Sequence, residues 1–231
     1  MTGSRVLKEH VRYLLLGPDR DAVFDSVFSH PPRRIINALI ARFYDEDALI
    51  RWRAVVTAGA LVSELAGSDL ESARVVMRRF MWMLNDESGG IGWGVPEAMG
   101  EAAALSPVLA EEYAEILCSF VYPDRNFLEH PGLQRGLLWG LGRLAQAAPQ
   151  RLTYALPHIL AFIGSEDPVH RGYAAWAAGN AKDLRALGDL ERLFSDQERI
   201  DFFEGWQIRR VPVAELARDA ADIIVHSERQ T

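Results

Sequence analysis

The chain has 231 residues, of which 49% are hydrophobic and 25% are charged, and its net charge is -7. These proportions are typical of a folded protein and exclude a disordered or fibrous one. No apolar run reaches the roughly 18 residues of a membrane-spanning helix. The first residues carry charges and lack the apolar stretch of a signal peptide. We therefore expect a cytoplasmic protein with no membrane partner.

The charge balance and the metal-binding residue types exclude further classes. Acidic residues outnumber basic ones by 32 to 25, which argues against a nucleic-acid partner because such proteins need basic charge to displace counterions. The one cysteine, Cys118, excludes an internal disulfide or a multi-cysteine metal site, and its apolar helix stripe indicates a buried side chain. No two histidines have metal-ligand spacing. We expect no metal, no cofactor and no catalytic residue.

The N-terminal segment, residues 1–45, is expected to form two or three cap helices, at Val6–Leu16, Arg20–Ser29 and Pro32–Tyr44. This segment does not follow the repeated pattern of the residues after it. Terminal units of repeat proteins are often atypical because they cover the end of the stack.

From residue 46 to residue 185 the chain repeats a helical pattern four times. Each unit contains a helix with a stripe of small or apolar residues that ends in glycine, at Gly59, Gly100, Gly142 and Gly179. The intervals of 41, 42 and 37 residues match the period of helix-pair repeats of the HEAT and armadillo kind.

The segments between these glycine-ended helices are also predicted to be helical. Asp69–Leu84, Pro107–Val121 and Gln150–Ile163 space their apolar residues three and four apart. Asp167-Pro168 supplies a cap and a first-turn proline for the fourth repeat helix. Alternating helices with short connectors predict an all-α fold, a right-handed α-solenoid of HEAT-like helix pairs.

Residues 198–231 depart from the repeat. Arg199–Glu204 and Gln207–Val213 are rich in β-branched and aromatic residues, and Glu204-Gly205-Trp206 between them is a predicted turn. We expect a small β-hairpin that covers the apolar flank of the last repeat, followed by a closing helix at Ala214–His226. The whole chain is then a single elongated domain with cap helices (1–45), four repeats (46–185), and the hairpin and closing helix (198–231).

A family resemblance supports this interpretation. Asp167-Pro168-Val169-His170-Arg171, with the alanine-rich run to Gly179, resembles the HEAT-like repeats of phycobilisome chromophore lyases, and the likeness covers about residues 46–185. The loop Asn85–Gly90 is similar to that of uncharacterised bacterial HEAT-like proteins. The resemblance implies the fold and no activity, because such repeats serve many roles. A role as a chromophore lyase or isomerase accessory rests on this likeness alone.

In HEAT-like repeats of this type the glycine-ended helix lines the concave side, so the resemblance assigns its outward positions to a concave face. Four of the six tryptophans fall on these positions, together with charged and polar residues. The candidate binding residues are Trp52, Arg53, Trp93, Glu97, Glu101, Arg135, Trp139, Arg143, Tyr173, Trp176 and Asn180. Trp and Arg dominate binding hot spots. We expect non-catalytic binding of a protein or peptide, or of a small molecule; the alternative is that the tryptophans pack inside a tightly curved solenoid.

Glu97 and Glu101 are one helical turn apart, so both carboxylates share a face. Opposite Arg135 and Arg143 of the next repeat, they predict an ion-pair ladder, whereas acid-base chemistry would need a pKa raised by burial. The loop before Trp93 contains Asp86 and Glu87. It is either a flexible connector or a lid at the groove edge.

The alternative function is an enzyme that resembles the HEAT-like DNA glycosylases of alkylation repair. These enzymes use a concave Trp, a carboxylate one helical turn later, an Arg and another Trp. Trp93 and Glu97 have that spacing, and Arg135 or Arg143 with Trp176 would complete the set. The carboxylate is Glu here where that family has Asp, and the net charge of -7 opposes DNA wrapping. The oligomeric state is left open by the sequence.

Overall fold

A computed structural model describes residues 2–85 and 91–229, with side chains from residue 5 onward. The described residues form twelve α-helices and one antiparallel hairpin. The helices are α1 (Thr2–Leu15), α2 (Arg20–Phe28), α3 (Pro32–Ile40), α4 (Ala48–Ser68), α5 (Leu70–Leu84), α6 (Val95–Leu105), α7 (Pro107–Ser119), α8 (Pro131–Ala147), α9 (Leu156–Ala161), α10 (Pro168–Ala181), α11 (Leu187–Glu191) and α12 (Val213–Glu228). The strands are β1 (Arg199–Glu204) and β2 (Gln207–Pro212). The predicted α-solenoid with a small hairpin and a closing helix is confirmed.

Aspartates fix where the repeat helices begin. Asp47 accepts hydrogen bonds from the first backbone N–H groups of α4, Asp69 does so for α5, and Asp167 does so for α10. Pro168 follows in the first turn of α10, where its missing N–H leaves no hydrogen bond unmade. The sequence signal for the start of the fourth repeat helix is therefore confirmed.

The repeat helices α4, α6, α8 and α10 do not end at the predicted glycines but continue beyond Gly59, Gly100, Gly142 and Gly179. They pack side by side in chain order, and α12 adds a fifth helix to the row. Their small residues permit this close approach. A Cβ atom at Gly100 would overlap the backbone of Gly140, and one at Gly179 would overlap Ala220. The outer helices α5, α7, α9 and α11 cover the other side. The core runs between the two layers, with Phe80, Met99 and Leu109 fully buried.

The structure differs from the prediction in the outer segment of the third repeat. Gln150–Ile163 is not one helix: a 3-10 turn at Pro149–Leu152 precedes the short helix α9, and a second 3-10 turn follows at Phe162–Gly164. Pro157 lies in the first turn of α9. Proline lacks an N–H donor and its ring would clash with the carbonyl four residues earlier, so a continuous helix cannot pass through this point.

No helix of the described ranges combines the length and the apolar character needed to cross a membrane.

The hairpin packs on the side of α4, α8 and α10 that the resemblance assigns to the concave face, a name we keep for that side, and it reaches the N-terminal helices. Its two turn residues, Gly205 and Trp206, have positive φ values of 58° and 69°, as in the type I′ turns that suit the twist of paired strands. The Trp206 indole N–H donates to the Gly17 carbonyl at 3.0 Å, and its ring meets Phe24 edge-on at 5.8 Å. The hairpin therefore extends beyond the last repeat's flank, where the sequence placed it, and joins the two ends of the solenoid.

Candidate functional site

Part of the concave face is filled by the hairpin itself. Trp52 of α4, Trp139 of α8 and Trp176 of α10 form a row, with ring centroids 4.9 Å and 6.0 Å apart. Phe203 stacks on Trp52 at 5.3 Å, and Phe202 meets Trp176 edge-on at 5.2 Å. The Trp139 indole donates to the Phe203 carbonyl at 3.3 Å, and only 2% of Trp139 is exposed. We call this set of five rings the covered row.

Arg53 is buried beside the covered row and holds the hairpin turn. Its guanidinium donates to the carbonyls of Leu15, Gly17 and Trp206 at 2.8, 3.0 and 3.2 Å. It also lies over the Trp206 ring, 4.9 Å from the centroid. Burial lowers the pKa of Arg53. Its guanidinium thus bonds to backbone carbonyls and lies on an aromatic ring. Arg53 therefore joins the end of α1 and the segment after it to the turn of the C-terminal hairpin.

The predicted ion-pair ladder forms at one of its two rungs. Arg143 donates to both carboxylate oxygens of Glu101, at 2.5 Å and 3.2 Å, and Glu101 is only 4% exposed. Nearby, the buried Asn180 donates its amide to the Trp176 carbonyl at 2.9 Å. At the other rung, Arg135 pairs with Asp167 at 2.6 Å. These polar groups of the concave face are therefore satisfied within the chain.

The rest of the concave face opens into a cavity of about 660 Å³, bounded by α4, α6, α8, α10 and the hairpin. It brings together five of the residues singled out in the sequence: Trp52, Trp93, Glu97, Arg135 and Tyr173. The structure adds residues that the sequence did not indicate, chiefly Arg51, Arg199, Ile208 and Arg210. We call this space the Glu97 cavity.

The entry into α6 places Trp93 and Glu97 at the cavity. Gly94 precedes the helix with a φ of 74°, and a side chain there would overlap Val55 as well as strain the backbone. The Trp93 ring lies directly on Gly132, where a Cβ atom would overlap it, and it meets the His130 ring edge-on at 4.9 Å. Gly132 of α8 thus leaves the space that the indole occupies, and Gly94 permits the turn into α6.

The Glu97 carboxyl has an unusual environment. It packs on Gly136 so closely that a Cβ atom there would overlap it. Its Oε2 atom is shielded from solvent and accepts no hydrogen bond from any described residue. Burial raises the pKa of Glu97 to about 7, although a hydrogen bond from its own backbone N–H acts in the opposite direction. Its predicted partner Arg135 is engaged by Asp167.

Tyr173 closes one side of the cavity. It is 3% exposed, and its hydroxyl donates to the backbone carbonyl of Asp201 in β1 at 2.9 Å. Burial raises the pKa of Tyr173, and the nearby charge of Glu97 adds to the shift. The hydroxyl thus remains protonated and ties α10 to the hairpin.

Arginines surround the mouth of the cavity. Arg51 donates to two backbone carbonyls of the connection before α4, at 2.6 and 3.0 Å. Arg199 donates to the Arg210 carbonyl at 2.7 Å, while Arg210 pairs with the Asp201 carboxylate at 3.1 Å. Among the residues the structure describes, no carboxylate lies within ion-pairing distance of Arg51 or Arg199. The mouth therefore carries positive charge that the protein does not neutralise locally.

The role of the hairpin aromatics was missed from the sequence. Phe202 and Phe203 are adjacent in β1, so their side chains point to opposite faces, and both are buried. Two successive large aromatic residues in a short strand are a signal that both faces are covered. Asp86 and Glu87, the predicted loop residues, lie outside the described ranges.

The glycosylase set is only partly assembled. Trp93, Glu97 and Arg135 line the Glu97 cavity, whereas Trp176 belongs to the covered row and Arg143 is paired with Glu101. Over the described part of the chain, no three His, Cys, Asp or Glu side chains converge to hold a metal ion. Cys118 is buried in α7, and burial raises the pKa of its thiol to about 12.

Comparisons with known proteins agree with this architecture. No protein-family model matches the chain. An uncharacterized protein of Archaeoglobus fulgidus is 25% identical over 189 residues, which span 80% of this chain and 94% of that protein. A crystal structure of an engineered protein aligns with 95% of this chain and 96% of its own, at a TM-score of 0.54 and 13% identity. A designed armadillo repeat protein in complex with the peptide (KR)4 aligns with 93% of this chain and 98% of its own, at a TM-score of 0.53 and 16% identity. The fold is that of an armadillo-type α-solenoid.

Proposed function

We propose that the chain is a non-catalytic repeat scaffold that binds a small ligand, or the end of a peptide, in the Glu97 cavity. The observation that carries this proposal is the cavity itself, with a volume of about 660 Å³. Small-molecule sites usually measure about 300–1,000 Å³ and combine apolar walls with a few polar groups. Trp52, Trp93 and Tyr173 supply such walls, and Glu97 and the arginines supply the polar groups.

The covered row favours a short ligand over a long one. A peptide that ran along all four repeats would have to displace Phe202 and Phe203 from their contacts with the row. Truncation of one buried phenylalanine costs about 3–5 kcal/mol, so removal of both rings from the row is expensive. The solenoid neighbour solved with (KR)4 supports peptide binding by this architecture in general. Here the open length of the concave face suits a single residue at a peptide's end.

A cavity-blocking variant tests the proposal. Gly136→Ala adds a methyl group where the Glu97 carboxyl now lies, and Gly67→Ala is its matched control because nothing lies within 4 Å of a Cβ atom there. We expect small molecules or short peptides that quench tryptophan fluorescence of the natural chain to bind Gly67→Ala equally well. Their affinity for Gly136→Ala should fall by about tenfold or more. Equal affinity for all three chains, or an absence of any such ligand, would overturn the proposal.

The same screen separates the other candidate classes. A duplex with an alkylated base, offered at two salt concentrations, tests the glycosylase alternative, which requires salt-sensitive binding followed by base release. The separation of Trp176 from Trp93 and Glu97 argues against that outcome. A coloured ligand that copurifies with the chain would favour the chromophore-related role. The specific likeness to phycobilisome-lyase repeats stays a prediction.

A further inference from the structure

The buried Glu97 carboxyl forms the floor of the Glu97 cavity. Three carboxylates line it, and two of them have cationic partners: Asp45 is paired with Arg12 and Arg42, and Asp201 with Arg210. Glu97 has no Arg, Lys or His among the described residues within ion-pairing distance. Buried carboxylates in proteins are normally paired or hydrogen-bonded. No described residue therefore supplies the cationic partner that the buried Glu97 carboxylate lacks.

A ligand can reach this carboxyl from the cavity. Glu97 lines the space, and rotation about its Cγ–Cδ bond, a torsion with broad preferences, exchanges the two carboxylate oxygens. An N–H donor in the cavity would then satisfy the oxygen that now accepts no hydrogen bond. The indoles of Trp52 and Trp93 line the same space, and the faces of indole rings attract cations. Floor and walls together favour a cationic group that carries N–H donors.

The rim of the cavity, in contrast, favours an anionic group. Arg51 and Arg199 line the mouth and use part of their donor capacity on backbone carbonyls, as described above. A guanidinium has five N–H donors in a planar fork that matches carboxylate and phosphate oxygens. An anionic group at the mouth would find two such forks, and a purely cationic ligand would meet their repulsion.

The cavity favours a cation at Glu97 and an anion at its rim. We therefore propose, as an inference that rests on the proposed function, that the ligand is a small zwitterion. Its N–H-bearing cation lies against Glu97 between Trp52 and Trp93, and its carboxylate or phosphate lies at the rim with Arg51 and Arg199. A free small molecule fits better than a protein surface, because the hairpin encloses the cavity on one side. The two charges must be separated by a spacer that spans from floor to rim.

A series of simple probes tests the zwitterion proposal. The probes are ω-amino acids of increasing chain length (glycine, 4-aminobutyrate and 6-aminohexanoate), the matching alkylamines, the matching carboxylates, and an aminoalkyl phosphonate. Binding is followed by ligand-observed NMR and tryptophan fluorescence on the full chain. We expect at least one zwitterion to bind about tenfold more tightly than its amine and its acid. If amine or acid alone binds as tightly, or no zwitterion binds at all, the proposal is overturned.

Two variants assign the two ends of the ligand. Glu97→Gln should reduce affinity for the best zwitterion to that of the matching acid, with Glu115→Gln on the exposed face of α7 as control. Arg199→Gln should reduce it to that of the matching amine, with Arg209→Gln, which lies in the same hairpin outside the cavity, as control. Circular dichroism of each variant establishes that the fold is retained. A best zwitterion that binds both site variants unchanged contradicts the proposed orientation.

Failure of this inference is distinguishable from failure of the proposed function. If ligands from the screen lose affinity for Gly136→Ala and are indifferent to Glu97→Gln and Arg199→Gln, the cavity binds ligands of another chemistry. The zwitterion proposal then falls and the proposed function stands. If no compound of any class depends on Gly136, both fall.

Discussion

The indole of Trp52 lies face to face with the ring of Phe203, with 5.3 Å between centroids and 5° between planes. One ring belongs to the first repeat helix and the other to the C-terminal hairpin, so the stack joins the two ends of the solenoid across its concave side. Trp52 also lines the Glu97 cavity. The stack therefore separates the part of the concave face that the chain covers itself from the part that stays open.

Removal of the Phe203 ring should destabilise the fold. Phe203 is 4% exposed and contacts Trp52, Trp139 and Trp206. We expect Phe203→Ala to lower the free energy of unfolding by about 3–4 kcal/mol, because it leaves a void among aromatic side chains. Urea unfolding followed by circular dichroism measures the change, and Tyr154→Ala, at a position that is 86% exposed, is the control. A loss for Phe203→Ala no greater than that of the control would show that the hairpin does not pack on the covered row.

Substitution of Arg53 should destabilise the fold, because Arg53 joins the hairpin turn to the end of α1 and the segment that follows it. Arg53→Ala removes hydrogen bonds to three carbonyls, of which that of Gly17 keeps the Trp206 indole as a donor, and it leaves a gap beneath Trp206. We therefore expect a loss of about 3 kcal/mol. Arg53→Lys keeps the charge and loses the planar fork, so about half of that loss should remain. The exposed Arg192 offers a control, since Arg192→Ala should change stability by less than about 0.5 kcal/mol. Equal stability of the lysine variant and the natural chain would show that charge alone suffices.

The repeat architecture was predictable because it rests on local signals. Aspartate caps and apolar periodicity lie within one helix and determine its structure locally, and the glycines recur from one repeat to the next. The difference at Gln150–Ile163 also has a local cause, because Pro157 breaks the helix that the apolar periodicity predicts there.

The candidate site was predictable only in part, because its geometry depends on contacts distant in sequence. The repeat pattern assigns Trp93 and Trp139 to equivalent helix positions, but Trp93 lies two residues before α6 begins, whereas Trp139 lies within α8. Only the path of the hairpin decides that Trp139 is covered. Arg135 and Arg143 both lie one repeat beyond an acidic residue. Arg135 pairs instead with Asp167, which lies near it only in the folded chain. Sequence spacing identifies candidates for a pair, while the fold decides which pair forms.

Gly100 should not tolerate a side chain, because the backbone of α8 lies directly against it. A Cβ atom at Gly100 would overlap the backbone of Gly140, which cannot move aside as a flexible side chain would. We expect Gly100→Ala to lower the free energy of unfolding by about 2 kcal/mol through overpacking. Gly67→Ala, on the exposed end of α4, should instead raise it by about 0.5–1 kcal/mol, because alanine favours the helix. Thermal unfolding of the two variants gives opposite signs if the contact between α6 and α8 is as described.

Glu97 should make stability depend on pH in a window that is absent from Glu97→Gln. Burial raises its pKa from 4.5 to about 7 in the folded chain. Between these values the folded state binds more protons than the unfolded state, so the free energy of unfolding contributed by this group falls as pH rises. The buried Tyr173 also faces Glu97, and it titrates well above this range because burial raises its pKa further.

The difference between the natural chain and Glu97→Gln isolates this effect, because every other residue is the same in both chains. We expect Glu97→Gln to gain about 2 kcal/mol relative to the natural chain between pH 5 and pH 8, since the amide never ionises. Urea unfolding at half-unit steps of pH measures the difference. A difference that is constant across the range would mean that the carboxyl is solvated or paired in the folded chain. A bound zwitterion should abolish the gain, because its cation stabilises the ionised carboxylate that is otherwise unpaired in the cavity.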